Sequence, residues 1–291
     1  MTPRFGRIIT AMITPFDDNG DVNFDEAIRI GEYLTQNGTD ALLLAGTTGE
    51  SPTLSHDEEF ELFRVMIRHF KGKVPIVVGT GSNATATAIA ATQEAEKLGA
   101  DATLQVVPYY NKPPQEGIYQ HFKAIAENTD LPLILYNIPG RTSRNMDPET
   151  LEKLARIPNI VAIKESAGSV EQMRAMRQMT PSDFDIYSGD DGLTLDFMAE
   201  GACGVISVAA HCVGPQMKTM IDAFVSGHHD QARVIETTLK PLFEGLFVTT
   251  NPILVKAAMA LKGFSVGVPR LPLVPATETE KTILKGLLDA L

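Results

Sequence analysis

A lysine closes an otherwise apolar run, Ile160-Val161-Ala162-Ile163-Lys164-Glu165-Ser166. Burying an ammonium is costly, and desolvation favours the neutral amine. A neutral amine is the nucleophile that condenses with a ketone to form an imine. The competing readings are an ion pair with Glu165 and a lysine snorkelling to the surface. Three further clusters could serve such chemistry. Gly46-Thr47-Thr48-Gly49-Glu50 has the glycines of a tight turn whose N–H groups and hydroxyls suit a carboxylate. Tyr136-Asn137-Ile138-Pro139-Gly140-Arg141 pairs a phenol that can relay protons with a guanidinium fork for a carboxylate. Pro108-Tyr109-Tyr110-Asn111 presents paired aromatics suited to a substrate pocket or a subunit interface. Taken singly, each also reads as a turn, a half-buried core tyrosine or a solvated arginine. Together they set a lysine, tyrosines, a hydroxyl-bearing turn and an arginine at successive strand ends.

Those strand ends follow from a repeated pattern. Apolar, β-rich runs fall at 8–13, 41–45, 75–79, 102–107, 133–137, 160–163, 186–188 and 204–208. They are apolar on both faces, as strands of a covered parallel sheet should be. Amphipathic stretches such as 58–70, 84–98 and 116–128 lie between them. Ser55 with Glu58, and Ser169 with Gln172, fit capping boxes. Asp147-Pro148 fits a helix start, and Gly99 a helix stop. Eight strand–helix units point to an α/β fold, a (β/α)8 TIM barrel, more than to an open doubly wound sheet. After Val213 only helical patterns remain, at 216–226, 231–247, 252–262 and 278–291. The expected organisation is a barrel over 1–224 and a small C-terminal helical appendage over 225–291.

Composition narrows the class. The 291 residues carry a formal net charge of -11 and are 44% hydrophobic. That balance argues against nucleic acid, which needs surplus Lys and Arg. Cys203 and Cys212 are too few for a disulfide framework and read as free, buried thiols. No signal pattern or bilayer-length apolar run is present, so a cytoplasmic location and no membrane partner are expected. Gly79-Thr80-Gly81-Ser82-Asn83-Ala84 matches a dinucleotide fingerprint in form, but Val107-Pro108 ends the next strand where an acidic residue is needed. His211, His228 and His229 lack metal-ligand spacing, so no metal and no cofactor are expected. His56 reads as a surface residue.

These motifs, with Ser188-Gly189-Asp190-Asp191, Gly204-Val205-Ile206-Ser207 and Asn251-Pro252, together resemble the dihydrodipicolinate synthase family in order and spacing along essentially the whole chain. The resemblance implies a homotetrameric enzyme of lysine and diaminopimelate biosynthesis. Such an enzyme condenses pyruvate with aspartate β-semialdehyde to give 4-hydroxy-tetrahydrodipicolinate. It assigns the imine to Lys164 and the pyruvate carboxylate to Thr47 and Thr48. Tyr136, Thr47 and Tyr110 would form a proton relay, Tyr110 reaching in from the neighbouring subunit. Arg141 would grip the semialdehyde carboxylate, and Gly189 and Ile206 would shape the pocket. N-acetylneuraminate lyases and keto-deoxy-sugar-acid aldolases share the lysine and the Tyr-Asn-x-Pro run. They usually have Gly-Ser-Thr-Gly in the turn and lack the arginine, so Thr47, Arg141 and Tyr109-Tyr110 favour the shorter substrate. Many family members also bind lysine as an inhibitor. Ser51, His56, Asn83 and Tyr109 fit that site, whereas Glu59 and Thr87 depart from it. A lost charge-assisted hydrogen bond at Thr87, worth about 1.5–3 kcal/mol, implies weak or absent lysine inhibition.

Overall fold

The computed structural model describes residues 3–291. Eight parallel strands close into one barrel in chain order. They are β1 (Ile8–Ala11), β2 (Ala41–Leu44), β3 (Ile76–Gly79), β4 (Ala102–Val106), β5 (Leu133–Asn137), β6 (Ile160–Glu165), β7 (Asp185–Ser188) and β8 (Gly204–Ser207). The (β/α)8 expectation holds. Two boundaries differ in ways that matter. The sixth strand continues through Lys164 and Glu165, so the lysine is a strand residue and not the first residue of a loop. The first strand stops at Ala11, two residues early.

Two compact units make up the chain, one formed by Pro75–Ile206 with the segment through Arg7, the other by Ile8–Val74 with Ser207–Leu291. The first holds β3 to β8 and the helices α3 (Thr85–Leu98), α4 (Gln115–Ala126), α5 (Pro139–Thr142), α6 (Pro148–Leu154), α7 (Val170–Met179) and α8 (Thr194–Ala199). Its helix-facing core joins Leu133 and Leu135 of β5 and Ile163 of β6 to Ile118, Phe122, Leu151, Met173 and Phe197. Each such fully buried side chain contributes roughly 1.5–3 kcal/mol. Because strand side chains alternate, this core sets which residues point the other way. Leu135 and Ile163 face the helices, so Tyr136 and Lys164 face the barrel interior, and Asn137 and Glu165 face the helices again.

The second unit holds β1, β2 and the helices α1 (Phe24–Gln36), α2 (His56–Phe70), α9 (Ala210–Val225), α10 (His229–Gly245), α11 (Ile253–Leu261) and α12 (Glu278–Asp289). The Ser55–Glu58 capping box at the start of α2 is present in both halves. At Ser169 only one half forms, since its hydroxyl accepts from Gln172 N while the Gln172 amide is engaged elsewhere. Asp147 precedes a helix with Pro148 at its first position but makes no capping bond. Gly99 ends α3 in the left-handed conformation at φ 87°. The helix expected from 216 begins at Ala210. Pro215 reads as a breaker in sequence, and the break it marks is a local one at Val213 (φ -133°), with helix on either side. Both cysteines are free; Cys212 is buried and Cys203, just before β8, is only half-buried.

Candidate active site

In β5, β6 and β7 the residues at one level are Tyr136, Lys164 and Tyr187, paired in parallel register. Lys164 is 6% exposed, and its Nζ stands 4.4 Å from the centroid of the Tyr136 ring. A cation so placed is attracted by the ring face, and a neutral amine there is held beside a phenol. Among the described residues Lys164 makes no ion pair, so the expected competitor, Glu165, is not its partner. Alternation explains why, since Glu165 points into the helix layer. Tyr187 offers no second relay, because its hydroxyl donates to Gly6 O (2.9 Å) and burial drives its ionisation upward.

Around Lys164 the space is tight. A Cβ added to Gly189 would lie 1.8 Å from Ser166 Oγ and 2.9 Å from Lys164 Cε. Glycine is therefore needed there for close approach. Ser166 Oγ is buried and has no hydrogen-bond partner among the described residues. Ile206 in β8 is buried. Arg141 lies in the short helix α5 and is exposed. Tyr110 is 89% exposed and sits at φ 71°, and Tyr109 is 40% exposed. Asn83 Nδ2 donates to Tyr109 O (3.2 Å).

The second unit carries the Gly46–Glu50 turn at the end of β2. Glu50 N donates to Thr47 O (3.1 Å) and closes the turn. Thr48 is buried, and its Oγ1 accepts from Asn251 Nδ2 (2.9 Å). Having accepted that bond, the hydroxyl keeps its proton for donation elsewhere. Glu50 anchors the turn from behind, with Oε1 2.7 Å from Lys256 Nζ and Oε2 accepting from Arg270 N (2.9 Å). Lys256 also donates to Thr14 O and lies over the Phe16 ring. Nearby, Glu59 is buried and accepts from Ser51 Oγ (2.6 Å), with His56 Nδ1 at 3.3 Å. Its carboxyl is pushed up, chiefly by burial. His56 itself opens α2 and has an exposed side chain. Thr87 is exposed.

The sequence singles out Lys164, Tyr136 and the threonine turn as candidates, and gives no role to Asn137, Asn251 or Lys256. Lys256 interrupts an apolar run, Ile253-Leu254-Val255-Lys256-Ala257-Ala258, as Lys164 ends one.

A closed parallel barrel with a buried amine near the C-terminal end of β6 is the framework of an enzyme, since reactive groups in this fold gather at that end of the strands. The chain belongs to the dihydrodipicolinate synthetase family, whose sequence profile matches residues 4–291. It is 56% identical over 288 residues to the 4-hydroxy-tetrahydrodipicolinate synthase of Cyanothece sp., covering 99% of this chain and 98% of that one. It is 53% identical to the enzyme of that name from Desulforudis audaxviator, again covering 99% and 98%. A crystal structure of the Cyanidioschyzon merolae dihydrodipicolinate synthase, with lysine bound, aligns at TM-score 0.98 and 50% identity over 99% of both chains. The Bacillus anthracis dihydrodipicolinate synthase aligns at TM-score 0.97 and 46% identity, covering 100% of this chain and 99% of that one. These relatives support the synthase reading and not the sugar-acid aldolase alternative.

Proposed function

We propose that this chain condenses pyruvate with L-aspartate 4-semialdehyde through a Lys164 Schiff base. The product is 4-hydroxy-tetrahydrodipicolinate, an intermediate of lysine and diaminopimelate biosynthesis. The observation that carries the reading is the buried Lys164 amine, paired with no carboxylate among the described residues and set against the face of Tyr136. Its lone pair attacks C2 of pyruvate, and loss of water leaves a protonated imine. Release of a C3 proton gives the enamine, which attacks the aldehyde carbon of the second substrate. That substrate's own amine then displaces Lys164 from C2 and closes the six-membered ring, with net loss of one water.

Residue roles follow from strand-end position and family resemblance. Thr48, with its proton free to donate, and Thr47 hold the pyruvate carboxylate. Tyr136, Thr47 and Tyr110 move protons. Tyr110 is held exposed in a left-handed conformation, as suits an aromatic ring serving a neighbouring subunit of a homotetramer. Arg141 takes the semialdehyde carboxylate, while Gly189 and Ile206 bound the pocket. The enzyme works in the cytoplasm; no helix among the described residues is long and apolar enough to cross a membrane. In the candidate lysine site of Ser51, His56, Asn83 and Tyr109, Glu59 already engages Ser51 and His56, which supports weak or absent inhibition by lysine. Half-inhibition by micromolar lysine in a steady-state assay would overturn that part.

Borohydride reduction in the presence of pyruvate tests the central claim. The reduced pyruvyl group is expected on Lys164 by peptide mass spectrometry, and a label on another lysine, or none, rejects the mechanism. Arg141→Ala is expected to cripple use of the semialdehyde while leaving pyruvate capture intact. Loss of both would make Arg141 a structural residue.

A further inference from the structure

Directly behind Tyr136 and Lys164, on the helix side of the same two strands, lies a buried polar cluster that the reaction does not use. Asn137 and Glu165 pair in register one residue beyond Tyr136 and Lys164, and both are 0% exposed. Asn137 Nδ2 donates to Glu165 Oε2 (2.9 Å) and to Asn145 Oδ1 (2.8 Å), while Asn137 Oδ1 accepts from Met146 N (2.9 Å). Glu165 Oε1 accepts from Ala167 N (2.6 Å) and Gln172 Nε2 (3.4 Å). Asn145 and Gln172 also exchange amide hydrogen bonds, at 2.9 and 3.0 Å. The cluster thus ties β5, β6, the loop before α6 and the first turn of α7 at one level.

We infer that Glu165, joined to Asn137, is a positioning residue for the imine-forming step: it fixes the register that holds the Lys164 amine against Tyr136. The inference rests on the proposed role of Lys164. Three observations carry it. The backbone between Lys164 and Glu165 is a single peptide, so a shift of Glu165 in its seat moves the lysine with it. The register of this strand pair slips higher up, between Leu133 and Ile134, so the ladder does not by itself lock Tyr136 opposite Lys164. A buried carboxylate with no ion-pair partner among the described residues is also a costly way to join two strands where an apolar pair would do. Its seat raises the Glu165 carboxyl to about 7, burial being the main cause.

The bond pattern is directional, which gives a sharp test. Asn137 cannot turn its amide over without losing Met146 N. In Glu165→Gln, the new N–H2 group would therefore meet a donor whichever way it turns, Asn137 Nδ2 or the Ala167 N–H. The double variant Asn137→Asp with Glu165→Gln restores a donor facing an acceptor; Asn145 and Gln172 then turn over together, giving up only the long contacts that Gln172 makes with position 165 (3.4 Å) and Asn145 with Asp147 (3.3 Å). The readout is the rate at which borohydride traps pyruvate on the protein, measured by intact mass in time courses without semialdehyde, alongside the melting temperature. In Glu165→Gln trapping is expected to slow about tenfold or more, and the double variant to recover most of the rate. If Glu165→Gln does not fold, Gln172→Met, which takes one donor from Glu165 without touching the strands, is expected to slow trapping to a lesser degree. Folded variants that melt lower but trap at the wild-type rate would make the cluster merely structural and overturn the inference. Absence of a label on Lys164 in the wild-type protein would instead reject the proposed function, before any variant is compared.

Discussion

The buried carboxylates Glu165 and Glu50, each beside a strand end, are held by opposite means. Glu165, behind β6, is surrounded by neutral donors, the amides of Asn137 and Gln172 and the Ala167 N–H. Glu50, behind the turn that follows β2, is met by the Lys256 ammonium and the Arg270 N–H. Lys256 is 1% exposed and burial lowers its pKa, opposed by the field of Glu50. Matched charges make an anchor that is strong only while both members are present. Neutral donors make a seat whose carboxyl exchanges a proton near neutrality. Each device secures a backbone turn or strand end whose other face carries the polar groups assigned to chemistry.

The sharpest way to break this contrast is Lys256→Met. It leaves Glu50 charged and buried without its cation, at a cost of about 3–5 kcal/mol. A large fall in melting temperature and denaturant midpoint is expected, and Lys256→Met with Glu50→Gln should regain much of it. A single variant within about 1 kcal/mol of wild type would mean that water or Arg270 takes over the charge.

Next in size is Gly189→Ala, on the Lys164 side. The new Cβ collides with Ser166 Oγ and crowds Lys164 Cε, and overpacking of this kind costs about 1–3 kcal/mol. Pyruvate trapping should slow as the lysine is displaced. Adding Ser166→Ala removes the closest atom and should restore stability more fully than trapping. Equal recovery of both would show that Lys164 is not crowded by the methyl group.

The contrast also explains what could be read from sequence. Strands showed themselves because they are buried on both faces, and Lys164 because a charge ended such a run. Lys256 broke an apolar run too, but in a helix, where one polar residue per turn is the normal pattern and draws no attention. The Asn137–Glu165 pair was illegible for a different reason. Which residues of β5 and β6 face each other depends on the slip between Leu133 and Ile134, and register is a property of two strands, not of either sequence segment. The helix α9 starts at Ala210 and not at 216, since a proline such as Pro215 marks a break without saying whether helix precedes it.

Acid titration should expose the Glu165 seat, against the opposing effect of two buried histidines. Glu165 has a folded value raised to about 7. The folded protein thus holds a proton that the unfolded chain releases above 4.5. Its contribution is complete below that pH and is lost as pH rises through 7. His211, fully buried between Ile13 N and Val208 O, and His121 are both lowered to about 4 by burial. Their contribution is present above 6.5 and is lost as pH falls toward 4. In Glu165→Gln the opposing carboxyl is gone, so melting temperature should fall more steeply between pH 6.5 and 4 than in wild type. Parallel profiles would place the Glu165 titration elsewhere.

The smallest expected difference compares two helix starts, one in each unit. Ser55 caps α2 through Glu58 N (3.3 Å), while its own N–H donates to Glu58 Oε2 (2.8 Å). Asp147 leads into α6 without a capping bond, its Oδ1 facing Asn145 Nδ2 at 3.3 Å. Ser55→Ala should therefore cost about 1 kcal/mol, and Asp147→Ala only the helix-dipole contribution, roughly 0.3–1 kcal/mol. The Arg270 guanidinium, which holds the Glu58 carboxyl down to about 2, keeps that side chain in place when Ser55 is removed. The Ser55→Ala loss should accordingly stay near the value for a cap alone and not grow to that of a broken ion pair. Equal losses at the two sites would mean that Asp147 caps α6 in solution, and a Ser55→Ala loss of several kcal/mol would mean that the Glu58–Arg270 pair depends on the cap.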